Sequence, residues 1–247
     1  QRRYIGAYLT EDERYLVITA ANSTTGNELY FKDLTKPNSG IVKVVGGFDT
    51  EQSIIANNGS TLYIYTNYKA PNYRLVTVNA SNPTKDNWKD LIPETENVMS
   101  ASIGGGKIFA NYLKDATSLV VQYDLKGVKE REIALPGIGT ASGFDAKKDD
   151  KELYFNFTSY VYPSTIFKYN IENGQSEIYK KSGVQFDPTQ YESKQVFYTS
   201  KDGTKIPMII THKKGIALNG KNPTMLYAYG GFSVSLTPAF STSNIVL

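Results

Sequence analysis

The chain has 247 residues, 40% of them hydrophobic and 21% charged, a balance that excludes a disordered protein and suffices for one large domain or one domain and part of another. It contains no Cys, which excludes disulfide frameworks and thiolate metal sites, and its net charge of +3 is too small and too dispersed to point to nucleic acid or a membrane surface. The 19 Tyr and 11 Phe favour strands over helices.

No apolar run approaches the roughly 20 residues that a membrane-spanning helix needs. The chain begins Gln1-Arg2-Arg3, without Met or an apolar signal segment, and reads as a piece of a longer protein. Its lack of Cys fits the periplasm or the cytoplasm.

From the start to residue 183 the sequence repeats. Apolar, aromatic-rich runs begin at Tyr15, Leu62, Ile108 and Leu153, separated by 47, 46 and 45 residues. A second series, Leu29–Asp33, Leu75–Asn79, Val120–Asp124 and Ile166–Asn170, closes on a small polar residue every 46, 45 and 46 residues. Turn signals such as Asn57-Asn58-Gly59, Gly104-Gly105-Gly106 and Lys148-Asp149-Asp150 lie between the runs. A period of about 40 to 50 residues with several strands per unit predicts the four-stranded blades of a β-propeller. Four blades make an unusually small closed ring, so the pattern predicts four blades of a larger one. The closing Asp or Asn of each unit is expected to bond its own backbone in an Asx turn rather than to hold a ligand.

The pattern changes near Val184. Residues 195–200 and 204–211, joined by Asp202-Gly203, predict a β-hairpin, and Pro207 puts its strand at an edge or a bulge. Thr224 to Ala228 then reads as a buried central strand running into Tyr229-Gly230-Gly231-Phe232. Glycines at the carboxyl end of such a strand let the backbone turn sharply and approach a ligand closely. The predicted fold is therefore mainly β: residues 1–183 form part of a β-propeller, and residues 184–247 form the first strands of an α/β-hydrolase domain.

Serine hydrolysis needs a nucleophile, a base and an orienting acid. The elbow Gly-x-Ser-x-Gly does not occur in the sequence, and Ser233 lies in the nearest approach to it, Gly231-Phe232-Ser233-Val234-Ser235. The one His, His212, stands beside two lysines and reads as a solvated strand-end residue. One His without Cys predicts no metal site, and no phosphate-binding loop or cofactor motif is present. Tyr229 differs, because an oxyanion needs only a donor: its hydroxyl could serve there, or the ring could simply pack at the strand end with its hydroxyl in water. Phe232 could line a pocket or belong to the core.

The sequence from Ser200 to Met208, His212-Lys213-Lys214-Gly215 and Tyr227 to Phe232 resembles the prolyl oligopeptidase family. Ala70 to Arg74, Asn87-Trp88-Lys89 and Phe155 to Ser159 resemble its propeller blades. The resemblance implies a serine-type peptidase that pairs a seven-bladed propeller with an α/β-hydrolase domain and cleaves short peptides on the carboxyl side of proline. It implies that Tyr229 completes the oxyanion hole and that Phe232 is an aromatic wall of the proline pocket. It also implies that the serine, acid and histidine belong to other parts of the same enzyme, which together with a proline-containing oligopeptide would be this chain's partners. The competing reading is a non-catalytic propeller module that binds peptides or proteins.

Overall fold

The computed structural model describes residues 2–232 and 234–246. Gln1, Leu247 and Ser233, the residue weighed as a nucleophile, lie outside the described residues. The chain divides into two compact units. One comprises Gln1–Tyr112, Val121–Arg131 and Asp145–Asp150, the other Leu113–Val120, Glu132–Phe144 and Lys151–Leu247.

Most strands fall into sheets of four whose spatial order follows the chain. The first sheet holds β1 (Tyr4–Leu9), β2 (Tyr15–Ala21), β3 (Glu28–Asp33) and β4 (Val42–Val45). The second holds β5 (Gln52–Asn58), β6 (Thr61–Thr66), β7 (Arg74–Asn79) and β8 (Lys89–Ile92). The third holds β9 (Val98–Gly104), β10 (Lys107–Lys114), β11 (Thr117–Asp124) and β12 (Lys129–Glu132). The fourth holds β13 (Thr140–Ser142), β14 (Glu152–Ser159), β15 (Tyr162–Asn170) and β16 (Ser176–Lys181). Neighbouring strands of the first, second and fourth sheets run antiparallel. The two repeating series of the sequence are the second and third strands of these sheets.

Burial explains why those two strands carry the signal. In the first and fourth sheets it alternates, as in Leu153, Phe155 and Phe157 inside against exposed Glu152 and Tyr154. That is the pattern of a sheet covered on one face. In the second and third sheets Leu62-Tyr63-Ile64 and Ile108-Phe109-Ala110 are buried without interruption, the pattern of strands covered on both faces. One core cluster joins Tyr15, Val17, Leu29 and Phe31 of the first sheet to Leu62, Ile64, Val76 and Val78 of the second. In the fourth sheet Phe155 stacks between Phe144 and Phe167, with ring centroids 4.9 and 5.2 Å away.

All four closing residues make the expected Asx turn. Asp33, Asn79, Asp124 and Asn170 each accept, at Oδ1, the N–H two residues on, from Thr35 (3.1 Å), Ser81 (2.9 Å), Lys126 (2.8 Å) and Glu172 (3.1 Å). At the opposite end, polar residues at the start of the third strands reach the following sheet. Asn27 pairs its amide with the Gln52 peptide, accepting from N and donating to O, both at 3.0 Å. The carbonyl of Asn72 accepts from Met99 N at 2.9 Å, and Ser118 Oγ accepts from Ala141 N at 3.0 Å.

Phe155→Ala is expected to lower the free energy of unfolding by about 3–5 kcal/mol, because it empties the centre of an aromatic stack. Tyr154→Ala, on the exposed face of the same strand, should cost less than about 1 kcal/mol. Urea denaturation of the two variants side by side measures the contrast. Hydrogen bonds from the Val128 N–H, and next, against a small desolvation, from the Lys126 N–H, hold Asp124 below the usual carboxylate range. A depressed carboxylate adds stability above the unfolded-state value of about 3.9 and loses it as pH falls through the folded one. Asp124→Asn keeps the acceptor without the proton, so its melting temperature should fall less than the parent's between about pH 4 and pH 2.

Candidate functional site

Beyond the fourth sheet the chain forms the expected hairpin, β17 (Tyr191–Thr199) paired with β18 (Lys205–Lys213). Its turn closes with Ser200 N donating to Thr204 O at 2.8 Å and Thr204 N donating to the Asp202 carboxylate at 3.0 Å, with Gly203 at φ +88°. Pro207 stands opposite Phe197. Counting from the bonded Ser200–Thr204 pair, this is a non-hydrogen-bonded position, so the missing N–H interrupts no ladder bond.

His212 is not the solvated residue that the sequence suggests. Its side chain is only 12% exposed, with Nε2 3.4 Å from the carboxylate of Glu192, its cross-strand partner, and Nδ1 2.9 Å from the Lys213 carbonyl. Cross-strand pairing covers the ring, and the described residues bring no hydroxyl nucleophile to it.

The central strand expected at Thr224 to Ala228 does not form. The segment is unpaired, and Met225, Leu226 and Tyr227 are 63, 80 and 74% exposed. A strand exists only through a ladder partner, and a parallel partner must come from a crossover connection of a dozen residues or more. The hairpin is a closed two-stranded sheet and supplies none.

The glycine turn itself is defined. Tyr229 is half exposed, and its hydroxyl folds back over Gly231: a Cβ built there would stand 3.2 Å from the phenol oxygen. Val234 N donates to Gly231 O at 3.1 Å and closes the turn. Phe232 occupies the left-handed region at φ +54° and is 95% exposed, so it is neither core nor the wall of a pocket within this chain. Left-handed backbone at a bulky residue is uncommon and concentrates at functional turns. Tyr229 and Gly231 are brought together; Phe232 stands apart in solvent. Among the described residues no group of three or more His, Asp or Glu could hold a metal ion.

Three residues that sequence reasoning did not single out hold the chain after this turn. Thr140 Oγ1 donates to Pro238 O at 2.7 Å, Thr158 Oγ1 accepts from Phe240 N at 3.1 Å, and the Phe240 ring lies 4.9 Å from that of Phe186. No spacing signals such contacts, because each depends on a residue far away in the chain.

Residues 1–182 match the family model for the N-terminal β-propeller domain of prolyl oligopeptidase. The chain belongs to the prolyl oligopeptidase family. It is 54% identical over 245 residues to a prolyl endopeptidase of Elizabethkingia meningoseptica, covering 99% of this chain and 35% of that relative. Among solved structures, one from work on two prolyl endopeptidases and the role of inter-domain dynamics in catalysis and specificity superposes with a TM-score of 0.87. That match has 35% identity and covers 99% of this chain and 36% of the other. Prolyl oligopeptidase B of Galerina marginata, solved bound to a 35-residue hydrolysis and macrocyclization substrate, matches with a TM-score of 0.84 and 31% identity over 97% of this chain and 35% of its own. The chain thus spans about a third of the length of the curated relatives it matches. The four-stranded sheets are those of this family's β-propeller, and no helix among the described residues is long and apolar enough to cross a membrane.

Gly203→Ala forces a Cβ into the left-handed region and should destabilise the hairpin by about 1 kcal/mol or more. Amide exchange along β17 is expected to quicken while that of β14 stays unchanged.

Proposed function

We propose that this chain is part of a serine-type prolyl endopeptidase that hydrolyses short peptides on the carboxyl side of proline. In this reading residues 1–183 contribute half of the covering propeller, and residues 184–247 open the α/β-hydrolase domain. The observation that carries it is the 54% identity to a prolyl endopeptidase over an alignment that covers 99% of the chain. The sequence holds no Gly-x-Ser-x-Gly elbow and its one His sits in a hairpin pair, so the nucleophile, base and acid are assigned to the rest of the parent enzyme.

The chemistry follows from the two aromatic residues. A serine hydroxyl adds to the carbonyl carbon of the substrate proline, and the carbonyl oxygen becomes an anion. The Tyr229 phenol, free of the strand ladder and half exposed, donates to that anion. The intermediate expels the amine of the next residue, which takes the serine's proton by way of the parent's base. Water then adds to the prolyl ester as that base takes its proton, and the same phenol meets the second anion. The collapse of that anion releases the acid and the reprotonated serine. Phe232, with both ring faces uncovered, offers a flat apolar surface to the pyrrolidine once the hydrolase domain closes around it. The substrate is a proline-containing oligopeptide, and the setting is the periplasm or the cytoplasm.

The test uses the full-length protein and a chromogenic proline peptide. Tyr229→Phe is expected to lower kcat about 10²–10³-fold with little change in KM, because the phenol acts on the transition state alone. An unchanged kcat removes Tyr229 from the mechanism. A full-length protein that binds proline peptides without cleaving them would instead favour a binding module.

A further inference from the structure

Thr140 and Thr158 are opposite partners in the β13–β14 ladder, which places both side chains on one face of the sheet. Their neighbours Ala141 and Phe157 are buried, so the threonines occupy the face away from that core. Thr158 also sits where the β14–β15 ladder shifts register between Phe157 and Ser159, and a bulge re-aims the side chain it carries.

The hydrogen bonds at this pair are polarised. Thr158 donates its one proton to the Tyr162 carbonyl at 3.1 Å, which leaves its oxygen to accept from Phe240 N at 3.1 Å. Thr140 donates to the Pro238 carbonyl at 2.7 Å. The two hydroxyls therefore grip one backbone carbonyl and one backbone amide on either side of Ala239. Pro238 is buried at this contact. The Phe240 ring rests on Phe186, and Phe186 in turn lies 5.1 Å from Tyr191, the first residue of β17. The fourth sheet, the hairpin and the segment following the glycine turn meet at one point.

We propose that Thr140 and Thr158 form a latch that positions the Tyr229–Phe232 turn relative to the last propeller sheet. They are positioning residues, and their role rests on the peptidase reading above. Eight residues, 230 to 237, separate Tyr229 from the gripped Pro238. That tether spans at most about 30 Å when extended, and the Val234–Gly231 bond shortens it, so engaging the latch limits the range of the oxyanion donor. Two neutral hydrogen bonds of ordinary net worth shift a population roughly tenfold. Such a latch holds the turn during chemistry and still releases between turnovers.

Amide exchange reads the latch without reference to activity. In the full chain the Phe240 amide is expected to be protected, to exchange roughly threefold faster in Thr158→Val, and to stay near the parent rate in Thr158→Ser, with Phe155 as the folding control. Protection of Phe240 unchanged by Thr158→Val overturns the contact. In the full-length enzyme, Thr140→Val with Thr158→Val should lower kcat on a proline peptide roughly tenfold with KM changed less than about twofold, and the corresponding double Ser variant should recover most of the loss. An unchanged kcat in the double Val variant, or a double Ser variant as impaired as the double Val, overturns the positioning role. A full-length parent that cleaves no proline peptide overturns the peptidase reading instead, and the exchange of Phe240 then decides the contact by itself.

Discussion

Asn27 grips the peptide of Gln52 with both ends of its amide, and Asn72 and Ser118 make their own bonds to the following sheet at spacings of 45 and 46 residues. These bonds run from the start of a third strand to the first strand of the sheet that comes next. Apolar burial between sheet faces is strong but has no direction, so it cannot by itself fix how one sheet is set against another. A directed polar bond at the rim can. The repeat keeps this constraint, since a residue bonded to the next sheet recurs at the same interval as the strands themselves.

The constraint also explains what could be read from the sequence. The second and third strands of each sheet are buried on one or both faces and are built from Leu, Ile, Val and aromatic residues, so their period of about 46 residues stood out. The first and fourth strands did not. β12 reads Lys-Glu-Arg-Glu, β13 has three residues, and β1 is exposed along its whole length. Such strands are specified by the partner already in place rather than by their own composition. Sequence therefore revealed the number of sheets and their inner strands, while the outer ladders needed the structure.

The candidate site was legible in the same uneven way. Asp202-Gly203 has a local mechanism for turning the chain, and the hairpin is where it was expected. Thr224 to Ala228 has strand-like residues but no partner among the described residues, and propensity without a ladder leaves it unpaired. His212 read as solvated because sequence places it beside Lys213 and Lys214, whereas the ladder places it beside Glu192. Thr158 lay in a blade segment noted only for its family resemblance and Thr140 in a stretch with no signal, and their contacts are with Pro238 and Phe240, some 80 to 100 residues downstream.

The four Asx turns carry a different consequence. The same bond, side-chain oxygen to the N–H two residues on, is made by a carboxylate at Asp33 and Asp124 and by a neutral amide at Asn79 and Asn170. One geometry thus accepts two charge states. The strand ends at Asn79, Asp124 and Asn170 can gain or shed negative charge through single changes between Asp and Asn without disturbing a strand, whereas Asp33 is buried and its charge is tied to Arg14. Evolution can retune the ionic character of such strand ends, and with it solubility and salt response, while each sheet stays fixed.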